Sequence, residues 1–271
     1  MNYEKNDMSY WFPKLIETGV PTPKTVMVDM NKVDKNFVDG MRKIFWMEEP
    51  TEAHKIAFSK FRQVLEEMGK RIGYPLFLRT GQTSHKHEWF ETCFVPDIAS
   101  LMKHAQALAE YSIMANMESG LPINVWAARK IIETEPIFTA FGGQMPITRE
   151  FRFFFNNHKL VCFHPYWPAT AINGHTEDKN WKEKLDTINK LTAKEEKLLT
   201  GLTRAVSYKF EGFWSVDWLQ GKDKNWYAID MATGEDSYHY PSCKKGAKLC
   251  QKEEAISPKG KKENPKKTKN D

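Results

Sequence analysis

The sequence predicts an α+β fold in which antiparallel hairpins are layered with helices. Three observations predict it. Strands and helices alternate irregularly, apolar strand pairs joined by short polar turns recur, and the regular βα repeat that builds a Rossmann sheet does not appear. The 271 residues suffice for one large domain or two smaller ones, and 41% hydrophobic with 13% aromatic content marks a chain that buries a core.

The elements follow in order. Residues 10–30 read as a short helix, a Gly19-Val-Pro-Thr-Pro23 turn and the strand Thr25-Val-Met-Val28. Lys35 to Gly40 reads as helix text. A helix is predicted over 51–71, where Phe58, Phe61, Leu65, Met68 and Ile72 recur at spacings of three and four as one buried stripe. Tyr74 to Arg79 is a strand, Thr80 to His87 a polar loop, and Thr92 to Val95 a returning strand. A second helix is expected over 97–117, capped by Asp97, with Ile98, Leu101, Met102, Ala105, Leu108 and Ala109 on its core face. Ile123 to Ala128 and Glu150 to Phe155 are strands, and Lys159 to Phe163 pairs back on the second of them after Asn156-Asn-His158. Helices near 178–190 and 192–206 follow, the latter opened by the capping box Thr192-x-x-Glu195. A last hairpin joins Phe213-Trp-Ser-Val-Asp-Trp-Leu219 to Trp226-Tyr-Ala-Ile-Asp-Met-Ala232 around the loop 220–225.

The net charge of +5 is unevenly spread: residues 244–271 hold ten lysines against four acids, +6, which leaves the body at −1. That tail has almost no apolar residues and is expected to be disordered, able to touch polyanions weakly or merely to solubilise. No apolar run is long enough for a membrane helix and the start lacks the apolar core of a signal peptide. Cys93, Cys162, Cys243 and Cys250 show no C-x2-C spacing, which favours reduced thiols in a cytoplasmic protein and argues against a zinc site.

Four polar features interrupt the strands. Asp217 and Asp230 lie on the two arms of the last hairpin. If Leu219 pairs with Trp226, Asp217 falls opposite Ala228 with Asp230 two residues along on the same face. That diagonal is ~7–8 Å, a span that hard cations can bridge. A one-residue slip would separate them; the alternative is a surface aspartate on a half-exposed hairpin. Arg79 ends an apolar strand beside a loop carrying Ser84, His85, Lys86 and His87, which suits a polyphosphate or is an ordinary turn. Arg129-Lys130-Ile-Ile-Glu133 follows a strand as a candidate linker between two lobes. Glu150 and Arg152 share a strand face, as phosphate-facing groups or a solvated ion pair.

In this order, Gly-Val-Pro-Thr-Pro before a strand, Gly73 to Arg79 with its Ser/Lys loop, the linker, Glu150-x-Arg152 and the Asp217/Asp230 hairpin resemble the ATP-grasp superfamily over about residues 10–243. The resemblance implies two lobes of antiparallel sheet plus helices with ATP between them. A pre-grasp segment (1–50) would precede a small lobe (51–120) and a large lobe (121–243), with the basic tail at 244–271. It implies ATP contacts at Arg79, Ser84, Lys86, Ala128, Arg129, Glu133, Glu150 and Arg152. Arg152 and Lys86 would be catalytic, and Mg²⁺ would lie on Asp217 and Asp230. Many relatives carry Glu-x-Asn where this chain has Asp230-Met-Ala232, so Glu235 or Asp236 would have to supply the missing ligand. Lys159, Tyr166 and Trp167 are candidates for a substrate cleft. The implied chemistry is ADP-forming activation of a carboxylate for attack by an amine or thiol. The alternative is a non-catalytic ATP-binding assembly module with a protein partner.

Overall fold

The computed structural model describes residues 3–115 and 120–243. The lysine-rich tail with Cys250, and the end of the helix expected over 97–117, lie outside them.

Two four-stranded antiparallel sheets carry the fold. The first holds β1 (Thr25–Asp29), β2 (Leu76–Thr80), β3 (Phe94–Val95) and β4 (Val125–Lys130) in the order β1-β4-β2-β3. A ribbon of β5 (Phe138–Ala140) and β6 (Met145–Ile147) stands apart. The second sheet holds β7 (Glu150–Asn156), β8 (Lys159–Pro165), β9 (Phe213–Gln220) and β10 (Trp226–Thr233) in the order β10-β9-β7-β8.

Side-chain alternation makes each sheet two-faced. Leu76 and Leu78 of β2 and Trp126 and Ala128 of β4 enter a core with the helices Glu52–Ile72 and Leu101–Met114. Phe77, Arg79, Ala127 and Arg129 therefore point the other way. In the second sheet Phe151, Phe153 and Phe155 alternate into a core with Val216 and Trp218. Trp11, Phe12 and Leu15 of the helix Met8–Ile16 and Leu199 and Val206 of the helix Ala193–Ser207 complete it. Each such side chain contributes ~1.5–3 kcal/mol of burial. Glu150, Arg152 and Asp217 are left on the opposite face, toward the first sheet.

The helix expected over 51–71 runs from Glu52 to Ile72 behind Thr51, whose hydroxyl accepts from the His54 N–H. The capping box of Thr192 and Glu195 is present in both directions. Three expectations are corrected. The second helix starts at Leu101, not Asp97: the Asp97 carboxylate accepts from the Ser100 N–H at 2.9 Å and closes a turn, leaving Ile98 49% exposed instead of in the core. Arg129 and Lys130 belong to β4, a strand paired on both edges, so the linker begins later, at Ile131.

The third concerns the aspartate hairpin. Leu219 pairs with Tyr227, one residue off the expected register, which in a regular ladder would set Asp217 against Ile229 and turn Asp230 away. A β-bulge between Ala228 and Asp230 absorbs the extra residue, and Asp217 faces Asp230 directly.

Candidate functional site

The inward faces of the two sheets enclose a cavity of about 640 Å³, with Arg79, Lys86, Arg129, Glu150, Tyr166 and Asp230 in its wall. The first sheet supplies Arg79 and Arg129. In the β2/β4 register Arg79 stands opposite Ala127 and Arg129 opposite Phe77, so the two arginines are diagonal neighbours on one face. The second sheet supplies the acids.

Each acid has a cationic partner. Asp230 receives Arg79 Nη1 at 2.8 Å, a bond that joins the two sheets. Asp217 takes a two-pronged hydrogen bond from Arg152, Nε at 2.7 Å and Nη2 at 2.8 Å, across the β7/β9 pair. Lys86 Nζ donates to Glu150 Oε1 at 3.1 Å and lies 3.8 Å from the centre of the Tyr166 ring, which Arg152 also approaches at 4.8 Å. Arg129 is bound on two sides only: its Nε donates to Thr25 Oγ1 at 3.2 Å and its Nη1 to the carbonyl of Ile229, the residue inside the bulge. Its Nη2 is buried with no hydrogen-bond partner.

These surroundings move the proton equilibria. Burial, aided by Asp217, pushes the Glu150 carboxyl up to about 7 against the pull of Lys86 and Arg152. Burial and the neighbouring Arg79 bring Arg129 down to about 9, opposed by Asp230, so it keeps its charge at neutral pH. Burial works against the charge on Lys86, yet Glu150 and Tyr166 hold it above the ordinary lysine value. Asp230 resists its own desolvation because Arg79 and Arg129 keep its carboxyl below the ordinary range.

Most of the residues singled out in the sequence converge here. Ser84 and Glu133 line the cavity with the groups above, and Arg152 and Asp217 stand directly behind its wall. Ala128 does not line it; its side chain is buried in the core of the first sheet. Glu235 is exposed in the short turn Gly234–Asp236 beyond β10 and is not part of the cavity wall. Asp236 accepts from Asn6 at 2.7 Å and from Thr233 at 3.0 Å, a structural role. Of the three substrate-cleft candidates, Tyr166 faces the cavity and Trp167 is buried in the core of the small ribbon. Lys159 begins β8 at its far end, ~20 Å of strand away. Gly81, the only glycine of the Ser/Lys loop, meets the N-terminal region instead of the cavity: a Cβ there would lie 2.2 Å from Asp7 Oδ2.

The carboxylates fit a hard, oxygen-seeking cation unequally. Asp230 is 43% exposed at the cavity wall with one oxygen held by Arg79, whereas both oxygens of Asp217 are engaged by Arg152. A second cluster, Cys162, His164, His239 and Cys243, brings its ligand atoms within 4.8 Å of one another although the sequence has no C-x2-C spacing.

Two facing antiparallel sheets with a charged cleft between them are the architecture of an ATP-grasp protein. The structure of Cdc123 from Schizosaccharomyces pombe superposes with a TM-score of 0.54 at 13% identity, over 91% of this chain and 90% of that one. The C-terminally truncated form of the same protein gives 0.53 at 14%, over 96% and 94%. The likeness is one of fold. The chain belongs to the ATP-grasp domain class, in the third family of one of its clades, whose model matches residues 67–252. No curated protein matches the sequence significantly.

Proposed function

We propose that the cleft binds Mg²⁺-ATP and that the chain is a ligase-like enzyme that activates a carboxylate with it. The observation that carries this reading is Arg129: a buried guanidinium beside Arg79, in the wall of an open cavity, whose Nη2 amino group has no hydrogen-bond partner. An unpaired buried donor is costly, ~1–3 kcal/mol, and an anion would relieve it. Arg79, Lys86, Arg129 and Arg152 set four cations against Asp230, Asp217 and a Glu150 whose charge is weakened, so the cleft favours a polyanion.

The resting ion pairs would then exchange partners. Arg79 and Arg152 turn to phosphate oxygens, and the carboxylates of Asp230 and Asp217 become the groups that hold Mg²⁺. When bound, that ion supplies charge neutralisation on the phosphates. Arg129 and Arg79 orient the phosphate chain, and Lys86 and Arg152 neutralise the transferring group. Ser84 closes over the phosphates and the stretch from Ile131 to Glu133 flanks the base. A substrate carboxylate oxygen attacks the γ-phosphorus, the bond to the β-phosphate oxygen breaks, and ADP leaves. An amine or thiol then attacks the acyl carbon, phosphate departs with the bonding pair, and the nucleophile's proton passes to solvent. No nucleophile of the chain is required. Free thiols at Cys93, Cys162 and Cys243 support a cytoplasmic setting.

A non-catalytic ATP-binding module with a protein partner is the second reading. Ala232 offers no side-chain oxygen to a cation, and Glu235 stands outside the cavity wall. ADP release measured across pools of carboxylates and amines separates the two. Turnover that requires both substrates supports the ligase. Tight nucleotide binding with no turnover in any pool supports the module and overturns the ligase.

A further inference from the structure

Four metal-ligating side chains meet at the open edge of the second sheet, on the face that carries Arg152 but outside the cavity wall. Cys162 and His164 are two residues apart on the edge strand β8, so both project from one face. His239 and Cys243 come from the segment beyond β10, where the Cys243 N–H bonds the Tyr240 carbonyl at 2.9 Å and turns the chain back. The segment reaches this place because Ser237 Oγ bonds Ser215 Oγ at 2.6 Å and the Thr233 carbonyl at 3.0 Å.

The atoms point inward. His239 Nε2 lies 3.1 Å from Cys162 Sγ and 3.3 Å from His164 Nε2, and all four ligand atoms lie within 4.8 Å of one another. With Zn–N of ~2.0–2.1 Å and Zn–S of ~2.3 Å, the edges of a tetrahedral Cys2His2 site are ~3.3–3.8 Å, so closure needs shifts of ~1 Å or less. The two imidazoles stand at 86° to each other, an arrangement that lets both nitrogens address one point. The outer shell is present as well. His239 Nδ1 faces the Tyr240 carbonyl at 3.2 Å, which fixes the tautomer with Nε2 bare. The His164 ring is stacked on Tyr240 at 4.8 Å, and Phe154 packs edge-on against His239 at 4.7 Å. No disulfide joins Cys162 and Cys243, and the site is partly open to solvent, so an ion can enter.

We propose that Cys162, His164, His239 and Cys243 form a structural Zn²⁺ site that ties the segment after β10 to the edge strand β8. Four protein ligands leave no open position, which makes the ion a staple and not a reactive centre. The sequence signal is C-x-H in one strand and H-x3-C some 75 residues later, a split pattern that a search for C-x2-C passes over. His164 stands directly opposite Arg152 across the β7/β8 ladder, so the staple also steadies the strand pair that presents Arg152 to the cleft.

The test is metal analysis of the full chain, purified under reducing conditions, stripped with a chelator and titrated with Zn²⁺ or Co²⁺. One equivalent of zinc per chain is expected, with the Co²⁺ form showing the intense visible bands of a tetrahedral site and a thiolate-to-cobalt charge-transfer band. Cys162→Ser and His239→Ala should each lose the equivalent, and Cys250→Ser should keep it. The Co²⁺ spectrum of the unaltered chain decides the question even if the variants fold poorly. Less than a tenth of an equivalent of zinc, a Co²⁺ spectrum without thiolate character, or a Cys162–Cys243 disulfide in place of the metal would overturn the proposal.

Discussion

Arg152 gives one edge of its guanidinium, Nε and Nη2, to Asp217, and neither side chain is far from full burial, at 17% and 4% exposed. Removing one partner of such a pair strands the other, at ~3–5 kcal/mol. Asp217→Ala should therefore lower the unfolding free energy by ~3 kcal/mol or more, read from a urea transition; an unchanged midpoint would mean that the pair is not structural. Asp230 is more open, but its partner Arg79 is buried, so Asp230→Asn, which keeps an acceptor oxygen, should cost ~1 kcal/mol of stability, less than Asp217→Ala. Glu150 gives the pH prediction. Its carboxyl sits at about 7 against an ordinary 4.5, so the folded chain binds more protons than the unfolded chain between those values. Stability from this group is complete below pH 4.5 and is lost as pH rises through about 7. Glu150→Gln should flatten that part of the stability–pH curve, and equal slopes in both proteins would refute the shift. The face shared by Glu150 and Arg152 was legible from i, i+2 spacing alone. The burial of Arg129 was not, although the family resemblance put it among the ATP contacts, because in the sequence it looks like the start of a polar linker and only the pairing of β4 on both edges buries it.

Between Ala228 and Asp230 the last hairpin gains one residue, and the geometry of the cleft depends on it. A regular ladder with Leu219 opposite Trp226 would also put both aspartates on one face; the bulge reaches that face from the register in which Leu219 pairs with Tyr227. Bulges leave little trace in composition, and Trp226-Tyr-Ala-Ile-Asp230 alternates no differently from a flat strand. Here Arg129 captures the carbonyl of Ile229, which gives the bulge a tertiary partner. Deleting Ile229 should give a flat ladder that keeps Asp230 opposite Asp217 but removes the carbonyl that Arg129 holds, so the unfolding free energy should fall by ~1–3 kcal/mol while far-UV circular dichroism stays near that of the parent. An unchanged urea midpoint in the deletion variant would show that Arg129 does not anchor the bulge. Helices were more legible than the hairpin register. Thr51 and Thr192 announce their helices by local capping chemistry, whereas Asp97, an equally good cap by type, spends its carboxylate on a turn ahead of the helix. The ribbon β5–β6 went unread because three-residue strands carry too little periodicity to register.

Across the whole molecule, two cores back two sheets whose charged faces meet, and the Arg79–Asp230 bond is a direct link between them. Among the described residues no helix is long and apolar enough to cross a membrane. The layering of hairpins and helices was legible because apolar strand pairs are separated by polar turns and the long helices carry apolar stripes. The cleft itself, built from residues as far apart as Arg79 and Asp230, emerged from the order of motifs and not from any one of them. The central claim is that this cleft holds Mg²⁺-ATP. A ligand at one hundred times its Kd adds ~2.7 kcal/mol to stability, several degrees for a chain of this size. The measurement that tests it most directly is the thermal shift of the full chain with ATP or ADP, with and without Mg²⁺, beside Asp230→Asn and Arg129→Gln. A rise of several degrees that needs Mg²⁺ and disappears in both variants is the predicted result. No shift at millimolar nucleotide, or an equal shift in the parent and both variants, would contradict it.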